Sequence, residues 1–430
     1  MAAFSSLQVR LIDPSEVMAW GESVSLPFLS PVATDADRSR LERWAPMVEV
    51  ERCWAVVDNG RFVGNSGTLT RTITLPAGPD GICPAVPFAA VTAVGVHPTH
   101  RRRGLLRRLM GAMLADARQR GEVLAGLQAS QSIIYGRFGY GWAVSSARHA
   151  IDPRHSAFAV PAPGVDIDLL VGDDAAKVVP AVFERARRRS PGQTERTETV
   201  WNVEVFSDHA DERGKASATA WLVCEGGVAG YRAEPIENRD DLGGSRLVVR
   251  DLLGETPEIE AALWRFLLDI DLVNEVVGLH RPPEDPIRHR LADPRRMRTE
   301  AVGDFMWLRI LDVPGALTAR GYLTEGRLVF DVTAPPATPG GADGADAPDP
   351  AVGRWVLEAG PDGSSCRAAG AGDSTDLILG VTELSSLLVG EVKASTLAAS
   401  GRIREERPGR LAAADALFAS GRVPCSLTGF

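Results

Sequence analysis

The sequence predicts a mixed α+β chain, with helices packed on mixed sheets and more than one domain. Three observations carry that expectation. At 430 residues the chain exceeds what one hydrophobic core organises, so two to four domains are expected. With 44% hydrophobic and 24% charged residues it has the balance of an ordinary soluble globular protein. Along its length, strand-like apolar runs bounded by turn residues alternate with apolar residues spaced at three and four.

The first region starts with successive antiparallel strands through VEVERCWAVVDNGRFVGNSGTLTRTITLP, where Asp58, Asn59 and Gly60 give a hairpin turn signal. PAGPDGICPAVPF reads as a loop by its proline and glycine content, and AAVTAVGV as a buried strand. From Gly104 to Arg120, Leu105, Leu106, Leu109, Met110, Met113 and Leu114 recur on one face of an amphipathic helix that stops before Gly121. VLAGLQAS is the next strand.

A second region repeats the mixed pattern with strand-like WLVCEGGVAGYRAE and SRLVVRDLLGE, a helix through PEIEAALWRFLLDID, and a short strand at NEVVGLH. Its helix opens on acidic residues where the first region has arginines, so a second copy of the same fold would lack the anion site. The third region begins at MWLRILDVPGALTARGY and holds strands GRLVFDVTA and GRWVLEAG around PPATPGGADGADAPDP, a low-complexity loop expected to be mobile. Short helices follow near VTELSSLLVG, KASTLAAS and RLAAADALFAS.

Composition removes several function classes. Lys plus Arg number 47 against 56 Asp plus Glu, a formal net charge of −9. That argues against nonspecific binding to nucleic acid or to an anionic membrane, and leans toward a cationic small-molecule or peptide partner. Cys53, Cys83, Cys224, Cys366 and Cys425 lie far apart with no Cys-x-x-Cys spacing, which fits a reducing cytoplasm better than a disulfide framework or a zinc site. His149, His155, His209, His280 and His289 show no metal spacing, and no metal is expected. MAAFSSLQVRLIDPSE lacks the pattern of a secretory signal, and no run of 18 apolar residues is present to span a membrane.

Against that acidic background VTAVGVHPTHRRRGLLRRLM, Val91 to Met110, is a basic exception. A strand entering Arg-x-x-Gly at the start of a helix is a physical anion site, because helix-start N–H groups lack internal partners and the dipole favours negative charge there. Val96 closes the strand, Pro98 breaks it, and Arg102 to Arg107 would present the loose N–H groups. Gly104 lets the backbone approach closely, and the arginines add charge-assisted bonds to phosphate oxygens. The ligand implied is a pyrophosphate, not a duplex. The alternative is a solvated basic helix start without a ligand; arginine at a helix N-terminus without a counter-anion would be unfavourable. A P-loop is excluded because Gly-Lys-Ser/Thr is absent.

VTAVGVHPTHRRRGLL resembles the acetyl-CoA loop of GNAT-type N-acetyltransferases, with Arg101-x-x-Gly104-x-Leu106 departing from the pattern only in Leu106, where a small residue is usual. That departure, with HPTHRRRGLLR, SIIYGRFGYGWA about 30 residues on, and a last residue Phe, is similar to one branch, the Eis ("enhanced intracellular survival") acetyltransferases. The resemblance covers nearly the whole chain and is tightest over 91–142. It implies tandem GNAT-like domains with mixed central sheets plus a C-terminal sterol-carrier-like domain. Residues 1–157 would form the catalytic GNAT domain and 158–297 a second one without the phosphate loop. Residues 298–430 would form the sterol-carrier-like domain that delivers the C-terminal carboxylate.

The resemblance further implies acetyl-CoA as co-substrate. Val94, Gly95 and Val96 would pair their backbone with the pantetheine arm. Arg102, Arg103, Gly104, Leu105, Leu106 and Arg107 would surround the pyrophosphate, with Arg101 buttressing the loop. Ser130 and Gln131 would line the thiol end, although family members often carry an acidic residue at the position of Gln131. The family assembles as hexamers.

Acetyl transfer to an amine needs a base for the ammonium, a donor for the oxyanion and an acid for the leaving thiolate. Tyr135 and Tyr140 in IYGRFGYG are phenols of ordinary pKa ~10 that can protonate a thiolate, or else core aromatics in a Gly-rich bend. For Tyr140 the core reading is preferred, and Phe138 is read as packing; for Tyr135 the resemblance implies the general acid. It also implies that the α-carboxylate of Phe430 is the base. An α-carboxyl of pKa ~3.3–3.7 is a poor base in water, and burial raises it. Without the resemblance this segment reads as a frayed tail. His97 and His100 suit phosphate or surface contacts better than the thioester, and no Ser-His-Asp order or nucleophile elbow is present.

The acceptor implied is a cationic amine, as in aminoglycosides, with polyamines or lysine peptides as the alternative. The family's acidic position just before the last residue is Gly429 here, Glu22 is an uncertain substitute for an earlier one, and Trp20, Trp44 and Tyr322 fit either pocket or core. A lipid carrier built on the third region, or an acetyl-CoA sensor without turnover, are the readings from other classes.

Overall fold

The computed structural model describes residues 7–209, 213–236, 244–335 and 349–430. The loop expected to be mobile, PPATPGGADGADAPDP, lies outside these residues over 336–348.

Strand β1 (Gln8–Leu11) is followed by helices α1 (Val17–Ser25) and α2 (Asp35–Trp44), then by β2 (Cys53–Asp58), β3 (Arg61–Thr74) and β4 (Ala85–Val96). β1 with β2, β2 with β3 and β3 with β4 pair antiparallel. Asn59 and Gly60 both have positive φ, 48° and 77°, the primed hairpin turn that Asp-Asn-Gly predicts. Helix α3 (Leu105–Gln119) crosses over to β5 (Leu124–Leu127), which lies parallel to β4. Leu105, Leu109, Met110, Met113, Leu114 and Ala117 are its buried face. All four residues of β5 are buried, as a parallel strand covered on both faces requires.

A short helix α4 (Ser132–Tyr135) leads to β6 (Gly141–Ile151). The second half then supplies β7 (Asp168–Val171), α5 (Gly172–Arg187), β8 (Ala220–Cys224), β9 (Gly227–Ile236), β10 (Gly244–Gly254), α6 (Pro257–Leu268), β11 (Val273–Arg281) and β12 (Met297–Ile310). The two halves share one twelve-stranded sheet of order β1-β2-β3-β4-β5-β12-β6-β11-β10-β9-β8-β7. The halves have exchanged strands. β12, from the second half, pairs with β5 of the first; β6, from the first, pairs with β11 of the second. The expected boundary at 297/298 therefore runs into β12, and the third unit starts only after Ile310.

The third unit has a five-stranded sheet, order β15-β14-β13-β16-β17, from β13 (Gly326–Thr333), β14 (Gly353–Gly360), β15 (Gly363–Ala368), β16 (Leu377–Gly380) and β17 (Ile403–Glu405). Its helices are α7 (Val313–Ala319), α8 (Val381–Leu387), α9 (Ala394–Ala399) and α10 (Arg410–Phe418). Every residue of α8 is buried, because the helix packs on its own sheet and on β6 and β12. One apolar core runs from Leu69, Phe88 and Leu124 in the first half through Met306 and Leu308 of β12 to Leu328, Phe330 and Leu384 of the third unit.

Candidate active site

The site begins where β4 and β5 part. They pair only at Phe88–Leu124, Ala89–Ala125 and Ala90–Gly126. Beyond Ala90, β4 continues to Val96 without β5, and a bulge at Ala93 (φ 54°) turns it further away. Val94, Gly95 and Val96 lie on this stretch, held on the other edge by β3. Pro27, just after α1, covers Gly95 so closely that a Cβ there would lie 2.8 Å from the Cβ of Pro27. Leu26, Phe28 and Leu29 beside it are exposed, an apolar lip on the cleft.

At the far end of the cleft stands the N-terminus of α3. Gly104 caps it in the left-handed conformation (φ 72°) and no side chain bonds its open N–H groups. Arg102 is also left-handed (φ 63°), a strain that a non-glycine residue carries where the loop must turn its N–H groups to one side. Arg101, Arg102, Arg103 and Gly104 are exposed, Leu106 and Arg107 half-buried, and Leu105 buried in the core. Among the described residues none of these arginines has a carboxylate partner. Arg101 Nε reaches Val96 O at 3.4 Å, and an Arg103 nitrogen reaches Thr99 O at 3.3 Å. The chain His97–Thr99–His100–Asp58, with contacts of 2.7, 2.8 and 3.1 Å, ties the loop to the β2–β3 hairpin. An uncapped helix start ringed by unpaired guanidinium groups fits a pyrophosphate.

Ser130 and Gln131 are exposed on the turn that leaves β5 and enters α4. Tyr135 ends that helix, 6% exposed, in the core between α3 and the β4–β5 pair. Burial alone raises its phenol above the ordinary value. Tyr140 is fully buried, its ring edge-on to Tyr135 at 6.1 Å. It is core, as read from sequence.

The last residues lie against the same pair of strands. Phe430 sets its ring edge-on to Phe88 of β4 at 5.8 Å. Gly429 lies against Gln128, the first residue past β5, whose Oε1 would be 2.8 Å from a Cβ at that position. An acidic residue at 429 would displace Gln128. Sequence reasoning missed Phe88 and Gln128; the only signal was a polar residue directly after the apolar LAGL.

The second half shows what the same slot looks like when filled. β10 and β11 part beyond Val249–Gly278. Into that gap Arg281 donates to Leu252 O at 2.6 Å and to Asp285 at 2.7 Å. Burial opposes its charge, yet Asp285 and Glu260 hold its pKa above the ordinary value. Arg422 donates to Gly254 O at 2.9 Å and Glu260 at 2.5 Å. Thr256 caps α6 with its own side chain, and about 60 Å³ of cavity remains. Protein groups therefore fill the gap between β10 and β11 at the start of α6.

Other sequence candidates resolve simply. Trp20 and Tyr322 are 0% and 1% exposed and belong to the core; Trp44 is half-buried, stacked on Trp20. Glu22 is committed to Arg38 at 2.9 Å. No group of three potential metal ligands occurs among the described residues, and no helix there is long and apolar enough to cross a membrane.

Comparison with known proteins agrees with this architecture. Two family models described as acetyltransferase (GNAT) domain match residues 8–143 and 192–310, and one described as sterol carrier protein domain matches 313–426. An uncharacterised N-acetyltransferase of Streptomyces griseus is 34% identical over 97% of this chain and 98% of its own length. The N-acetyltransferase Eis of Mycobacterium tuberculosis is 34% identical over 78% of this chain and 79% of its own. The crystal structure of Eis1 from Mycobacterium abscessus superposes with a TM-score of 0.83, at 29% identity, over 99% of this chain and all of that one. A GCN5-related N-acetyltransferase from Anabaena variabilis, 18% identical with a TM-score of 0.78, shares the fold. The GNAT fold implies acetyl-CoA as co-substrate. Sharing a third of its residues with Eis over most of its length, in the same order of domains, the chain belongs to the Eis family of GNAT-type N-acetyltransferases.

Proposed function

We propose that the protein transfers the acetyl group of acetyl-CoA directly to an amine of a cationic small molecule, aminoglycosides first among the candidates. Val94, Gly95 and Val96 would hold the pantetheine arm, and residues 102 to 107 the pyrophosphate. Ser130 and Gln131 would border the thiol end. The amine nitrogen attacks the thioester carbonyl, the α-carboxylate of Phe430 takes the ammonium proton, and the Tyr135 hydroxyl gives a proton to the departing thiolate. No acyl-enzyme is involved.

The observation that supports this most is the seat of residues 429 and 430 beside the β4–β5 pair, against Phe88 and Gln128. The raised pKa of Tyr135 is compatible with its role. α8 spends every residue on packing, which counts against the lipid-carrier reading.

The same reading includes a homohexamer in the cytoplasm. Leu169 and Val171, exposed on the edge strand β7, would supply an apolar edge for assembly. Light scattering on the purified chain tests the hexamer.

Thiol release from acetyl-CoA with a panel of aminoglycosides, polyamines and lysine peptides tests the activity. Turnover with aminoglycosides is the expected result. Turnover only with polyamines or lysine peptides would replace the acceptor class. Tight acetyl-CoA binding without turnover would favour a sensor, and lipid extracted from the purified protein a carrier.

A further inference from the structure

Arg196 sits where residues 425–428 approach the cleft. The segment 191–196 runs beside β3: Glu195 N–H donates to Thr72 O at 2.9 Å, and Thr194 bridges to Ile73. On its other side it carries the last residues of the chain. Cys425 N–H donates to Pro191 O at 3.0 Å, Leu427 N–H to Gln193 Oε1 at 3.3 Å, and Thr194 Oγ1 to Thr428 O at 3.4 Å. Arg196 completes this ladder. Its Nε donates to Thr428 Oγ1 at 2.9 Å, and one terminal nitrogen reaches Leu427 O at 3.3 Å and Asp251 Oδ1 at 2.5 Å.

The guanidinium is itself fixed. It lies 4.3 Å from the ring centre of Phe183 and 4.9 Å from that of Trp201, and Asp251 balances its charge. It is 9% exposed. Only Gly429 separates Thr428 from Phe430, and glycine restrains its neighbours least. A base contributes only while held in reach of the proton it takes. We infer that Arg196 is a positioning residue that fixes the Phe430 carboxylate by clamping Thr428 and Leu427. The inference rests on the proposed role of that carboxylate. The planar fork spans three acceptors at once, which a lysine ammonium does not reproduce.

Steady-state kinetics on Arg196→Gln, Arg196→Lys and Thr428→Val test it, each made in the native chain and in one extended by a glycine after Phe430. In the native chain Arg196→Gln should lower kcat by at least about tenfold, the worth of one charge-assisted hydrogen bond. The KM for acetyl-CoA should not move, and Arg196→Lys should not restore the rate. Thr428→Val leaves the Arg196–Asp251 pair intact, so it keeps the test readable if Arg196→Gln folds poorly; it should lower kcat in the same direction. In the extended chain, where the carboxylate is already displaced, each substitution should change kcat by less than about twofold, the non-additivity of residues that act as one unit.

Equal losses in both chains would mean that Arg196 supports the fold and does not position the base, and would overturn the inference. So would native kcat in both Arg196→Gln and Thr428→Val beside a collapsed rate in the extended chain; the carboxylate would then remain the base. An extended chain that is fully active would remove the base itself, and the clamp with it.

Discussion

At the scale of residues, the proposed site divides into groups assigned to binding and groups assigned to proton transfer, and substitutions should separate them. Tyr135→Phe removes only a hydroxyl and should lower kcat by about 10²-fold or more, the usual worth of a general acid, with acetyl-CoA affinity unchanged by calorimetry. Arg103→Ala or Arg107→Ala should do the reverse, weakening acetyl-CoA about tenfold or more per lost charge-assisted bond while kcat at saturation holds. The open helix start with its exposed arginines was legible in sequence because Arg-x-x-Gly at a strand–helix junction carries its physical reason with it. Arg196 and Gln128 were not. Each matters through a neighbour more than 200 positions away, Thr428 and Gly429, and no local pattern encodes that.

At the scale of elements, the two halves start the corresponding helix in different ways. α3 starts on a left-handed glycine with its N–H groups open; α6 starts after Thr256, whose side chain caps it, and its Glu260 receives both Arg281 and Arg422. The contrast was visible in sequence as arginines against glutamates. α5 has no counterpart in the sequence analysis; it carries Pro180 in its middle, where proline normally ends a helix. The parting of β4 from β5 was legible only in part: Pro98 marks the end of the strand, but nothing in AVTAVG announces the bulge at Ala93. Gly126 shows how tightly the parting is built. A Cβ there would lie 2.5 Å from Phe88 Cζ. Gly126→Ala should cost about 1–3 kcal/mol in chemical denaturation through overpacking, and should lower kcat as well, since Phe88 carries Phe430.

At the scale of the molecule, the domain order followed from resemblance, while the exchange of β6 and β12 between the halves had no sequence signature, since strand patterns report burial and not partners. Because the halves share one sheet and the third unit shares a core with the first, thermal unfolding should be a single transition. The strand exchange also predicts a pH dependence of stability. His149 on β6 is fully buried, donating from Nε2 to Pro282 O at 2.9 Å while Nδ1 meets the Thr299 hydroxyl at 3.1 Å. Burial lowers its pKa below the usual 6.5. The unfolded chain therefore binds a proton that the folded chain resists, so stability is lost as pH falls through 6.5, by up to about 1.4 kcal/mol per unit until the folded pKa is reached. Melting temperatures from pH 7.5 to 5.5 should fall, and fall less in His149→Asn. The molecule as a whole brings residues of the third unit, along the core of the second, to the cleft of the first: Cys425 and Leu427 pack with α5, and Phe430 with Phe88. Whether that route delivers a base is decided most directly by comparing kcat for the native chain and for one extended by a single glycine after Phe430, with an accepted amine. A collapse of kcat in the extended chain, with acetyl-CoA binding intact, is the expected result; equal kcat in the two chains would contradict it.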